Sequence, residues 1–146
     1  MSESTFISTL ANEIDIMDLI EKEIYSAYAD ALYYKLTVRG VQTNLEYDLV
    51  IASIMREADP MDFLTSVSVP ESIQALTLRL REVRTVNDRP WFVFEQSCGE
   101  NLSRKNRFNY ELDPRSYGVD LSHEDLYMDL VIFPRELILL PSWYEF

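Results

Sequence analysis

The side chains that most often carry catalysis or hold a metal are sparse in this sequence. Cys98 is the only cysteine and His123 the only histidine, so the sequence offers no internal disulfide and no thiolate metal cage. A zinc site would need further ligands at suitable spacing, and His123 has no histidine partner for one. A cysteine nucleophile would need His123 beside Cys98, yet Glu95 and Glu100 around the thiol disfavour a thiolate. We expect neither metal nor nucleophilic catalysis.

Carboxylate pairs and glycines give no stronger chemical signal. Glu46 with Asp48, or Glu124 with Asp125, could act as general acid and base, but an acid-rich chain offers many such pairs by chance. Their ordinary role is solvated surface. The chain contains only three glycines, too few for a glycine-rich phosphate loop. The sequence therefore predicts no catalytic residue, no cofactor and no metal, and hence a protein that is not an enzyme.

One segment interleaves cations with aromatic rings. Arg104, Lys105 and Arg107 precede Phe108 and Tyr110, a pattern that on a basic protein indicates stacking on single-stranded nucleic acid. This chain of 146 residues instead carries a formal net charge of −12, which repels phosphates at long range. We expect the cations to pair across a sheet or with acidic helices and the rings to fill the core, with no direct binding to nucleic acid.

The negative charge is concentrated at the two ends of the chain. Residues 1–30 carry seven acids against one base and residues 113–146 carry seven against two, whereas residues 70–112 carry six acids and seven bases. Large acidic zones without a cofactor motif favour a basic protein partner, and a solvated face that keeps the protein soluble is the alternative. No apolar run is long enough to span a membrane, and the N-terminus lacks the features of a secretory signal. We expect a cytoplasmic protein that does not bind membranes.

Hydrophobic spacing predicts the elements of the first half. Apolar residues recur every three or four positions over residues 6–28, which predicts an amphipathic helix. The helix is either continuous or broken near residues 12–15, where Asn and Asp could cap a second helix. An antiparallel hairpin is predicted next, because apolar and polar residues alternate over residues 32–39, Gly40 indicates a turn, and residues 45–54 are rich in aliphatic side chains.

The second half repeats this plan. Residues 56–69 are predicted to be a loop, followed by a helix that begins near Glu71. The apolar face of this helix is formed by Ile73, Leu76, Leu80 and Val83, with its arginines elsewhere. Strands over residues 91–96 and 102–112 are predicted to enclose a turn at Cys98, giving a second hairpin.

The C-terminal segment predicts a short helix and a docked tail. Ser122 followed by Asp125 is typical of a helix cap, Leu126 and Leu130 lie on one helix face, and Pro134 ends the helix. The apolar tail that follows is expected to pack on the body through Trp143. The chain is therefore predicted to be one α+β domain over residues 1–146, in the order helix, hairpin, helix, hairpin, helix. Its antiparallel sheet is covered by helices mainly on one face.

A series of short motifs in the last half of the chain resembles one family of bacterial proteins. The motifs are Leu80-Arg81-Glu82, Trp91-Phe92, Phe108-Asn109-Tyr110, Asp113-Pro114, Leu126-Tyr127-Met128-Asp129-Leu130, Phe133-Pro134-Arg135 and Leu140-Pro141-Ser142-Trp143. This series is similar to that of the YezG-like family of immunity proteins, whose members end with comparable Phe-Pro-Arg and Pro-x-Trp motifs. The resemblance implies that the Phe-Pro-Arg and Pro-x-Trp residues are fold elements, with no implied contact to a partner.

The resemblance also implies a function. It implies an antitoxin of a contact-dependent or other polymorphic toxin system, which binds and neutralises the toxic C-terminal domain inside the producing cell. The toxin partners of the family are often nucleases, whose cationic cleft an acidic protein can occupy. An acidic secretion chaperone or adaptor that binds a segment of a client protein is the alternative, and it predicts a stable dimer.

Two acidic surfaces are candidates for contact with a partner. One is the N-terminal helix with Asp15, Asp18 and Glu21, and the other is the C-terminal segment. We favour the C-terminal segment because it combines acids with an aromatic anchor. The predicted partner-binding residues are Tyr117, Asp120, Glu124, Asp125 and Asp129.

Overall fold

Five antiparallel strands form the sheet on which the protein is built. The computed structural model describes residues 3–53, 64–85, 90–99, 102–136 and 139–144. The strands are β1 (Tyr33–Val41), β2 (Asn44–Ala52), β3 (Thr65–Val67), β4 (Val93–Gly99) and β5 (Leu102–Asn109). Their spatial order is β3-β2-β1-β4-β5. Both predicted hairpins, β1–β2 and β4–β5, are confirmed, and the fold is α+β.

The strands differ from the sequence prediction at their ends. The short strand β3 lies within residues 56–69, the segment predicted to be a loop, where it pairs with β2. Residues 56–63 of that segment lie outside the described residues, and so does residue 54 at the end of the predicted second strand. Strand β4 continues through Cys98, so this cysteine is in a strand and not in the predicted turn. Strand β5 ends at Asn109 because the Asn109 side-chain oxygen accepts hydrogen bonds from the backbone N–H groups of Glu111 and Leu112, which turns the chain.

Among the described residues, four α-helices accompany the sheet, and a 3₁₀ helix spans Pro114–Tyr117. They are α1 (Glu3–Ser8), α2 (Glu13–Ala27), α3 (Glu71–Thr85) and α4 (His123–Ile132). The N-terminal helix is therefore broken, which decides between the two alternatives. Asn12 caps α2, since its side-chain oxygen accepts a hydrogen bond from Ile14 N at 2.8 Å. The predicted element order is present, with α1, β3 and the 3₁₀ helix added.

Helices α1, α2 and α3 pack on one face of the sheet. Tyr34, Leu36 and Val38 of β1 are fully buried on this face, while the alternate residues of β1 are half-buried on the opposite face. We call that opposite face the open face. Each fully buried aliphatic side chain contributes about 1.5–3 kcal/mol. The helices fill the core with Ile16, Ile20 and Ile24 of α2 and with Ile73, Leu76 and Leu80 of α3, the last three as predicted.

A second apolar cluster lies where α4 and the C-terminal tail meet the sheet. It contains Val41, Phe92, Val119, Leu121, Leu126 and Tyr144. Trp143 packs edge-on against Phe92 with ring centroids 4.8 Å apart, and its indole N–H donates to the Glu111 carbonyl at 2.6 Å. The predicted docking of the tail through Trp143 is confirmed over residues 139–144.

In the part of the chain that the structure describes, no helix combines the length and the apolar character that crossing a membrane requires.

Candidate protein-binding site

Helix α4 begins at a capping box that is tied to the β1–β2 turn. The Ser122 hydroxyl accepts a hydrogen bond from Asp125 N at 3.1 Å, and the Asp125 carboxylate accepts one from Ser122 N at 3.0 Å. The Thr43 hydroxyl donates to the same carboxylate at 3.3 Å, and the Asn44 amide donates to the Asp120 carbonyl at 2.5 Å. The bond from the Ser122 N–H lowers the pKa of Asp125, so the carboxylate is ionised at neutral pH. The predicted residues Asp120 and Asp125 are thus held beside one turn.

Asp129 lies inside the protein. Its carboxylate accepts hydrogen bonds from Gln42 N at 2.9 Å, Arg81 Nη1 at 2.5 Å, Arg135 Nη2 at 2.7 Å and the Tyr144 hydroxyl at 3.1 Å. Burial alone would raise the pKa of Asp129, but the charge of Arg81 and the other donors hold it below its ordinary value. This placement corrects the sequence prediction, because a fully buried carboxylate is not on the surface that a partner meets.

Arg81 is the main partner of Asp129, and it too was predicted to lie off the buried face of its helix. The Arg81 side chain is fully buried, and its Nε donates to the Trp91 carbonyl at 2.8 Å. Burial lowers the pKa of Arg81, and the charge of Asp129 opposes that shift. The guanidinium carbon lies 5.2 Å from the centroid of the Phe133 ring. Together, Arg81, Asp129 and Arg135 form what we call the buried charge triad, which joins α3, α4 and the segment after α4.

The outward side of α4 is apolar. Tyr127, Met128, Val131 and Ile132 are 55%, 38%, 52% and 44% exposed. Their spacing places them on adjoining sides of two successive helical turns, and we call these four side chains the α4 face. The sequence gives no separate signal for these four side chains, because apolar residues at helical spacing also predict a buried stripe. Contiguous exposed apolar side chains on a folded protein mark an interaction surface.

Free carboxylates accompany the α4 face. Glu124, one turn before Met128, is exposed, and so is Asp120 at the start of the segment. Neither side chain forms an ion pair or a hydrogen bond with any residue that the structure describes. In the N-terminal acidic zone, Asp18 is bound to Arg104 at 2.5 Å, whereas Asp15 is exposed and forms no ion pair with any described residue. The C-terminal segment therefore combines unpaired negative charge with exposed apolar area.

Tyr117 occupies a different place from the predicted acids. It is exposed at the end of the 3₁₀ helix and lines a cavity of about 320 Å³ on the open face with Val93, Arg107 and Leu112. An adjoining cavity of about 480 Å³ shares Arg107 with it. We call this second cavity the open-face groove, and it is lined mainly by Tyr33, Lys35, Glu95, Ser97, Lys105 and Arg107.

The residues considered for catalysis are placed as follows. His123 is the exposed first residue of α4, and Asp48 forms an ion pair with Arg39. Burial, followed by a hydrogen bond with Glu21, raises the pKa of the Cys98 thiol, which disfavours the thiolate. Within the described ranges, no group of three or more histidine, cysteine, aspartate or glutamate side chains is placed to hold a metal ion.

No protein-family model matches this chain, and no curated protein sequence matches it. The resemblance to the YezG-like immunity proteins therefore rests on the short motifs alone. The structure brings several residues of these motifs together around the buried charge triad. Arg81 contacts Trp91 and Phe133, Phe92 lies against Trp143, and Asp129 and Arg135 are members of the triad.

Proposed function

We propose that this chain is an immunity protein that binds and neutralises a toxin domain with a basic active-site cleft, such as that of a nuclease. The α4 face is the observation that carries the proposal. Four apolar side chains stand exposed on a helix whose buried side holds a charged residue, and a partner that covers them would gain the free energy of apolar burial.

Charge would select the partner. Glu124 lies one turn before Met128 of the α4 face, Asp120 precedes the helix, and neither carboxylate is paired with a described residue of this chain, whose net charge is −12. A cationic cleft would be attracted to this surface at long range, which raises the association rate, and the apolar contacts would then set the lifetime of the complex. We therefore expect a tight complex with one toxin domain per immunity protein and an association rate that falls as salt is added.

The test is a rescue assay combined with co-purification. The toxin probe is the C-terminal domain of the protein encoded directly upstream, expressed in cells with and without this chain. We expect wild type to restore growth and to co-purify with that domain. Val131→Asp places a charge in the centre of the α4 face and is expected to abolish both. Ile14→Asp is the matched control, because Ile14 is 57% exposed on α2, and it is expected to rescue as wild type does.

Three results would overturn the proposal. Absence of a complex with any encoded neighbour would exclude an immunity protein of this kind. Equal losses in Val131→Asp and Ile14→Asp would show that the α4 face is not the contact surface. Capture of an unfolded segment by a stable dimer, without rescue of growth, would identify the secretion chaperone instead.

A further inference from the structure

Unpaired positive charge is concentrated on the open face of the sheet. Most arginines in the described chain form ion pairs with carboxylates, namely Arg39, Arg79, Arg81, Arg84, Arg104, Arg115 and Arg135. Lys22, Lys35, Lys105 and Arg107 form none with any described residue. The last three line the open-face groove. In a chain with an excess of acids, this groove is a local cationic site.

Strand register brings the three cations together. Lys35 of β1 and Lys105 of β5 both lie opposite Ser97 of β4, and Arg107 lies opposite Glu95 in the next row of the same face. Side chains directly opposite on neighbouring strands have Cβ atoms about 5 Å apart, so the two lysines flank Ser97 at about 10 Å from each other. Glu95 is the one acid among the described residues that line the groove.

Strand β5 is an edge of the sheet. It pairs with β4 on one side, and no other described strand lies beyond it. Alternate backbone N–H and C=O groups on its outer side are therefore available to a further strand. Lys105 and Arg107 are both exposed and lie two residues apart, so they point to the same face. A strand added here would place every second side chain beside them.

We propose that β5 forms a second binding surface, in which Lys105 and Arg107 at the edge of the open-face groove attract an extended acidic segment of a protein partner that pairs with β5 as a sixth strand of the sheet. Carboxylates at every second position of the segment would face Lys105 and Arg107 while its backbone pairs with β5. Nucleic acid fits less well, because the outward backbone N–H and C=O groups of β5 would stay unpaired. This surface has the opposite charge to the α4 face and serves a different partner.

The test is a titration followed by amide chemical shifts of the full-length protein. The probe is a seven-residue peptide of alternating glutamate and valine with blocked ends. We expect shifts confined to β5 and the groove. Lys105→Glu should weaken the affinity about tenfold, since reversal turns an attraction of the surface-pair kind into a repulsion. Lys22→Glu is the matched control, because Lys22 is also exposed and unpaired but lies on α2, and it should bind within about twofold of wild type.

A peptide that is N-methylated at alternate residues tests the strand addition itself, and it should no longer bind. The proposal fails if the first peptide shifts no β5 amide, if Lys22→Glu weakens binding as much as Lys105→Glu, or if the N-methylated peptide binds equally well. A twelve-residue oligothymidylate that binds the same amides more tightly than the peptide would show a nucleic-acid surface instead. No toxin is present in this test, so its failure leaves the α4 proposal untouched.

Discussion

Replacing Asp129 by asparagine is the change that tests the interior of this protein most directly. The carboxylate lies fully buried between the guanidinium groups of Arg81 and Arg135, and Gln42 N and the Tyr144 hydroxyl donate to it as well. Asparagine keeps the volume of the side chain but removes its charge. Two buried cations then lose their counter-ion, and breaking a buried pair in this way costs about 3–5 kcal/mol.

That free energy converts into a large change in melting temperature. The entropy of unfolding per residue is about 2.1 cal/mol/K, so a chain of this length has a total of about 0.3 kcal/mol/K. A loss of about 3–5 kcal/mol therefore lowers Tm by about 10–16 °C. The effect should appear equally in urea unfolding, as a lower midpoint with an unchanged slope.

Asp48→Asn is the matched control for this substitution. Asp48 also pairs with an arginine, Arg39, but its side chain is 57% exposed, so its loss should cost less than about 1 kcal/mol. Thermal and urea unfolding at pH 7 followed by circular dichroism measure both variants. Equal stability of Asp129→Asn and Asp48→Asn would refute the reasoning. The reasoning would also be refuted if Asp129→Asn lost toxin binding at unchanged stability, because Asp129 would then be a surface residue that contacts the toxin.

Acid pH and the replacement of two glycines also have defined effects on the stability of the protein. The pKa of Asp129 and of Asp125 is lower in the folded protein than in the unfolded chain, so both contribute stability that is complete above the unfolded pKa of about 4. That stability is lost as the pH falls through the pKa values of the folded protein. When the free energy of unfolding is measured at decreasing pH, the loss below about pH 4 should be smaller in Asp129→Asn than in wild type. Gly40→Ala should cost more than about 3 kcal/mol by urea unfolding, because its Cβ would lie 2.0 Å from the Asn44 carbonyl oxygen and the backbone φ is 134°. Gly118→Ala should cost about 1–2 kcal/mol, because its φ is 88° but the space around it is open.

Sequence periodicity predicted the parts of the fold in which burial follows local spacing. The alternation of β1 gave its buried face, the apolar positions Ile73, Leu76 and Leu80 of α3 are buried, and the capping box at Ser122 and Asp125 is present. In each case the residues that decide the structure lie within a few positions of one another, so that a window of sequence contains the whole signal.

The buried charge triad could not be predicted in this way. Arg81 and Asp129 are 48 positions apart in the chain and lie on different helices. Each reads as a surface residue in its own segment, because a charged side chain is almost never fully buried unless it is paired. Only the tertiary arrangement supplies the pair. Strand β3 could not be predicted from local spacing either, because its three residues are too few to show an alternation of apolar and polar side chains.

Most of the motif residues that resemble the immunity family lie apart from the residues proposed to bind a toxin, although Tyr127 and Met128 belong to both sets. Arg81, Trp91, Asp129 and Arg135 meet inside the protein, where they hold α3, α4 and the C-terminal segment together. Val131 and its neighbours on the α4 face point away from them. A shared interior can support different surfaces, so the motifs bear on the fold and the surface must be tested for function by itself.

The way in which the buried charge triad attaches α4 to the protein accounts for the exposure of the α4 face. A short helix has few positions with which to attach itself, and α4 uses Leu126 and Asp129 as its fully buried residues. Because a charge pair attaches the helix, the side chain of Val131 does not have to be buried in the core, and it is 52% exposed. The Val131 side chain is 52% exposed, and an acid in the last turn of a helix costs about 0.3–1 kcal/mol, so Val131→Asp should melt within about 3 °C of wild type. A melting temperature lowered by several degrees in that variant would mean that the α4 face is part of the core and that no partner is needed to account for it.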